Sequence, residues 1–194
     1  MPPWFGAPRG TLPGTVALEL ILAQTDKVAV CVTRLAGYPT GFEFDVLTMS
    51  ADGQDELDPL RFHHHHRMHR GATDELPPEL LRFGVQFPDG SKATNTRGFH
   101  HDRRSPAGPI MHAGGGGGGG GSWRQTQWVW PLPPLGTLTL VCEWPAMGIP
   151  VTRSQLDAQL ILDAAERAQV IFSDAHLPEP PDEDDGPSAV AFIR

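Results

Sequence analysis

The chain has 194 residues, 39% of them hydrophobic and 20% charged, with a formal net charge of −8 and a sequence pI near 5.5. That length supports one domain or two small ones, and the acidic balance repels nucleic acid and anionic lipid unless a local basic patch offsets it. The 22 glycines and 20 prolines commit much of the chain to turns and loops, and no apolar run reaches the roughly 18 residues that a membrane-spanning helix requires.

Residues 1–14 are a Pro/Gly-rich lead-in with no basic region followed by an apolar core. No secretory signal is expected there, and the protein is expected in the cytoplasm without a membrane partner. "TVALELIL" places Val16, Leu18, Leu20 and Leu22 on one face of a strand. "KVAVCVTRL" repeats the alternation with Val28, Val30 and Val32, and after the turn residues "GYPTG" a third strand sets Phe42, Phe44 and Val46 together. Three strands so close in sequence predict an antiparallel meander. Cys31 and Cys142 both fall inside strand-like apolar segments, where a thiol packs as a small hydrophobe. A bridge between packed sheets is the alternative, disfavoured in a reducing compartment.

From Ala51 to Glu79 the sequence loses its periodicity. It carries "RFHHHHRMHR", with His63, His64, His65, His66 and His69 close together. Neutral imidazole binds zinc and other divalent transition metals, but consecutive histidines in a loop also bind metal adventitiously. A metal-binding or metal-dependent enzymatic role is therefore an alternative reading, and the leading expectation is no cofactor. "LLRFGVQF" returns to strand pattern with Leu81, Phe83, Val85 and Phe87, followed by the turn "PDGSKATN" and a short return strand. A second irregular stretch holds His100, His101 and His112 with Arg97, Arg103 and Arg104. Without interleaved aromatics that basic loop does not predict a nucleic-acid surface.

Eight glycines, Gly114 to Gly121, precede "SWRQTQWVWPLPP". A phosphate-binding loop needs GxxxxGK(S/T) between a strand and a helix, and neither the lysine nor the helix is present. The run reads as a flexible connector between two strands. A narrower alternative is bare glycine backbone lying against another chain. In the strand that follows, Trp128 and Trp130 share one face and Val129 takes the other. Two tryptophans filling a core is the first expectation; a platform for a sugar or a proline-rich peptide is the second.

"GTLTLVCEW" is the cleanest strand, alternating Leu138, Leu140, Cys142 and Trp144 against polar neighbours. The period then changes. Leu156, Leu160, Ala164, Ala168 and Ile171 recur at helical spacing, and Thr152 with Gln155 forms a capping box, predicting a helix over 152–172. An acidic Pro-rich tail, 173–194, ends in "SAVAFIR", whose Val190 and Phe192 would project from one side of an extended strand able to join a sheet edge.

Short strands separated by turn signals predict an all-β protein. The expected form is an antiparallel β-sandwich, immunoglobulin-like or C2-like, spanning 1–172 with one C-terminal helix and long irregular loops. No GxSxG, HExxH or CxxC occurs. The expected function is a non-catalytic protein-interaction or assembly module. It would bind a protein partner or its own copy through sheet edges, loops or the C-terminal peptide. A carbohydrate-binding module using Trp128 and Trp130 is the further alternative. The strings "PPWFGAP", "TRLAGYPTGFEFDV", "LRFGVQFPDGSKATN" and "CEWPAMGIP", with the glycine run before "WVWPLPP", resemble a group of uncharacterised actinobacterial proteins. That resemblance implies a cytoplasmic bacterial setting and carries over no functional residue.

Overall fold

The computed structural model describes residues 2–53, 76–96 and 106–173. Eleven strands occur among them: β1 (Thr11–Leu12), β2 (Gly14–Gln24), β3 (Val28–Tyr38), β4 (Gly41–Ser50), β5 (Arg82–Gln86), β6 (Lys92–Thr94), β7 (Ile110–Gly119), β8 (Ser122–Trp130), β9 (Thr137–Trp144), β10 (Ile149–Asp157) and β11 (Gln169–Val170). One helix, α1 (Ala158–Glu166), lies between β10 and β11. A five-stranded sheet runs β2-β3-β4-β8-β7, a four-stranded sheet runs β10-β9-β5-β6, and β1 pairs with β11. Every pairing is antiparallel. Among the described residues the protein is mostly β with the single α-helix α1, consistent with an all-β class, and the meander predicted for the first three strands is β2-β3-β4.

Alternation decides which side chains are buried. Val28, Val30 and Val32 of β3, Phe42, Phe44 and Val46 of β4, and Val129 of β8 lie in one apolar cluster. Phe83 and Val85 of β5 and Leu138, Leu140, Cys142 and Trp144 of β9 belong to the same cluster. Phe44 of the larger sheet meets Phe83 of the smaller edge-on, ring centres 6.5 Å apart. A register shift between Val32 and Arg34 lets β3 turn Arg34 outward and Leu35 inward, the usual effect of one extra residue in a ladder. Cys31 and Cys142 are both buried and free, and burial pushes the Cys142 thiol up to about 12.

The helix differs from the expected 152–172. Residues 149–157 continue as strand β10, with Leu156 opposite Leu138 and Ser154 opposite Leu140. Thr152 therefore caps nothing; its hydroxyl donates to the Cys142 carbonyl. The cap is Asp157, whose carboxylate accepts from the Gln159 amide at 2.9 Å. The inward stripe is Ala158, Ile161 and Ala164, and Leu160 and Ile171 are exposed. The cause is ladder pairing along β9, which overrides the helical spacing of residues 152–157.

The helix lies against β2 and β3, where Gly14 and Gly37 face each other across the ladder. A Cβ on Gly14 would run into the Ala164 carbonyl, and one on Gly37 into the Ala165 amide. The paired glycines let α1 approach the sheet backbone directly.

Candidate functional site

The glycine run is not a loose connector. Gly114–Gly119 form the second half of β7, the edge strand of the five-stranded sheet, hydrogen-bonded only to β8 among the described residues. Gly119 stands opposite Ser122, so Gly120 and Gly121 are a two-residue turn. Both have positive φ, 60° and 78°, the geometry that matches strand twist in a tight hairpin and favours glycine. The run alternates in its surroundings. A Cβ at Gly116 or Gly118 would collide with backbone of β8, whereas Gly115, Gly117 and Gly119 look into open space. All six strand glycines are exposed. Among the described residues the result is an uncovered strand edge with no side chain, charge or proline of its own to shield it.

The outward face of the same sheet carries the polar and aromatic groups. Arg34 grips Asp45 with two bonds, Nε to Oδ2 at 2.9 Å and Nη2 to Oδ1 at 3.2 Å. Thr126 Oγ1 donates to Asp45 Oδ1 at 2.8 Å, and the Tyr38 hydroxyl donates to Glu43 Oε2 at 3.1 Å. Burial works against the Asp45 carboxylate, but hydrogen bonds from Arg34 and Thr126 and the nearby positive charges hold it below the ordinary carboxylate range. Burial, then the Glu43 carboxylate, push the Tyr38 phenol well up, so it stays a donor.

Beside this network lie the tryptophans. Trp128 and Trp130 share the outward face and Val129 the inward one, as the alternation predicts. Trp128 is 2% exposed but not between the two sheets. It packs with Ala36 and Tyr38, edge-on to the Tyr38 ring at 5.6 Å, beneath Ala7 of the N-terminal segment. Trp130 is half-buried and meets Trp4 edge-on at 5.7 Å. His112 of β7, opposite Trp128, brings Nε2 within 3.3 Å of the Trp4 carbonyl. Burial lowers its pKa. Sequence reasoning missed Trp4, Arg34, Tyr38 and Asp45; Asp45 is opposite in phase to Phe42, Phe44 and Val46 and so was open to pattern reading, whereas Arg34 and Tyr38 share the phase of Val28, Val30 and Val32 and turn outward only through the register shift after Val32.

The inward face of β8 is unusual in a different way. Gln125 and Gln127 are buried there, with Gln127 Nε2 donating to Gln125 Oε1 at 3.0 Å. Among the described residues Gln125 Nε2 and Gln127 Oε1 have no hydrogen-bond partner. An open recess at Gly136, Thr137, Gln155, Leu156 and Asp157 offers little chemistry, since its one carboxylate is already the helix cap. His63, His64, His65, His66 and His69, and Val190 and Phe192, lie outside the described residues. Among the described residues no three His, Cys, Asp or Glu side chains group as a metal site, and no helix is long and apolar enough to cross a membrane. Comparison with protein-family models, with curated proteins and with solved structures finds no match.

Proposed function

We propose that the two larger sheets form a β-sandwich that serves as a non-catalytic protein-interaction module, self-associating through the edge of β7. The observation that carries this reading is the run Gly114–Gly119: an exposed strand edge that carries no charge, proline or side chain, its one irregularity being the register shift between Ala113 and Gly116 at its start. Such an edge accepts an added strand through main-chain hydrogen bonds. The absence of side chains removes steric selection on both faces, so two copies could pair antiparallel about a two-fold axis. The shared apolar cluster supports the sandwich, and the two free, buried thiols suit a reducing cytoplasm.

The test uses Gly117, whose substituent would point into open space. Lysine there should block the edge without disturbing the fold. Sedimentation velocity should show concentration-dependent association for the native chain and its loss in Gly117→Lys, with unchanged circular dichroism. A native chain that stays monomeric at every concentration, or a variant that associates equally well, removes the reading.

A further inference from the structure

Two side chains of β8 flank the bare half of β7, one on each face. On the inward side Trp123 stands opposite Gly118, and its indole nitrogen lies 3.4 Å from where a Cβ on Gly116 would sit. The indole thus borders the glycine strand on that face. On the outward side Arg124 stands opposite Gly117 and is exposed. A substituent on Gly117 would meet open space, and Gly117 has none, so no side chain of β7 stands between Arg124 and the edge. Neighbouring strands lie ~4.8 Å apart, a gap that an extended arginine crosses.

Arg124 is also unpaired. Among the described residues it makes no hydrogen bond or ion pair. The acids beside it on β4 are taken. Asp45 accepts from Arg34 and Thr126, and Glu43 accepts from the Tyr38 hydroxyl and lies 3.5 Å from Arg34. A mobile, uncommitted guanidinium next to an open strand edge is a ready partner for a carboxylate. We propose that the β7 edge seats an extended acidic segment of a partner protein, which adds as a strand and sets a carboxylate against Arg124 across Gly117. Main-chain bonds hold such a strand, and the side chain beside it selects the sequence. A second copy's glycine strand would make the same main-chain bonds but bring no acid to Arg124. Charge complementarity therefore favours the acidic strand. The inference rests on the reading that this edge accepts an added strand, and it names a partner other than a second copy.

The probe is a fluorescein-labelled heptapeptide with blocked termini, Thr-Val-Thr-Glu-Thr-Val-Thr, titrated with the full chain at low salt and read by anisotropy. The native chain should bind it roughly two- to fivefold more tightly than the same peptide with glutamine in place of glutamate, the range for a part-exposed ion pair. Arg124→Gln should erase that difference. Arg124→Glu should turn the preference toward a lysine peptide, with circular dichroism unchanged in both variants. The glutamate peptide N-methylated at three successive central residues, so that neither of its edges can pair, should not bind. A glutamate peptide that fails to bind the native chain, a preference that survives Arg124→Gln, or binding that survives N-methylation would overturn the inference. Sedimentation keeps the two readings apart. Self-association should persist in Arg124→Gln, and a monomeric native chain that still prefers the glutamate peptide removes self-association alone.

Discussion

At the scale of single residues, the polar groups divide into those whose partners are complete and those whose partners are not. Asp45 accepts from Arg34 and Thr126 and is held ionised. Its folded pKa lies below the unfolded one, so its contribution is present above the ordinary carboxylate value of about 3.9 and is lost as pH falls through the folded value. His112 also has a folded pKa below its unfolded one. The unfolded chain then binds that proton first, and stability declines as pH drops below about 6.5. Urea midpoints measured across pH should show two descents, the higher one absent in His112→Gln and the lower one reduced in Asp45→Asn. The glutamine pair behaves differently. Each amide satisfies half of the other and leaves one atom without a partner among the described residues. Gln127→Met alone should destabilise by about 1–3 kcal/mol, because Gln125 is then buried with nothing to bond. Gln125→Met/Gln127→Met, which removes both polar groups at similar volume, should be as stable as the native chain within about 1 kcal/mol. A double variant worse than the single would show that an unseen acceptor or water satisfies the pair.

At the scale of elements, β7 and α1 show where pattern reading succeeds and where it stops. A run of identical glycines has no periodicity, so nothing in it distinguishes linker from strand; only β8, with a long ladder and no partner on that side, recruits it. The alternating environment of the run makes this testable. Gly118→Ala should cost roughly 1–3 kcal/mol, because the added methyl meets the Ser122 carbonyl and β7 must move. Gly117→Ala meets nothing and should be neutral or stabilising by up to about 1 kcal/mol, through a less flexible unfolded chain. Equal effects at the two positions in thermal melts would mean that the run is not a strand. The helix was legible as a change of period near residue 150, but its start was not. Both Leu156 and Ile161 are buried, one at the end of a strand and the other in the helix, and a stripe drawn through apolar residues joins them without seeing the boundary.

At the scale of the whole molecule, the strands themselves were legible because their buried side chains recur every second residue: Val28, Val30 and Val32, then Phe42, Phe44 and Val46, then Leu138, Leu140, Cys142 and Trp144. What that rhythm omits is the opposite face. Arg34, Tyr38, Glu43 and Asp45 come together only once β3 and β4 are in register, and Trp4 joins Trp130 across more than half the chain. Long-range pairing of that kind has no local signal. The same long-range packing governs how the molecule should unfold. Phe44 of one sheet and Phe83 of the other touch, α1 rests on β2 and β3, and one apolar cluster draws on both larger sheets. Apart from the small outward cluster of Ala36, Tyr38 and Trp128 on the larger sheet, both sheets draw on the same core, so losing one exposes the inward face of the other. Unfolding of the sheets should therefore be a single cooperative step. Circular dichroism reports the strands as a whole. Four of the five tryptophans lie on or against the larger sheet, so Trp144→Phe confines the fluorescence signal to that side. In this variant both probes should give the same urea midpoint and the same slope. A fluorescence transition clearly displaced from the dichroism one would mean that the sheets are independently stable, and that the shared cluster contributes less than its burial implies.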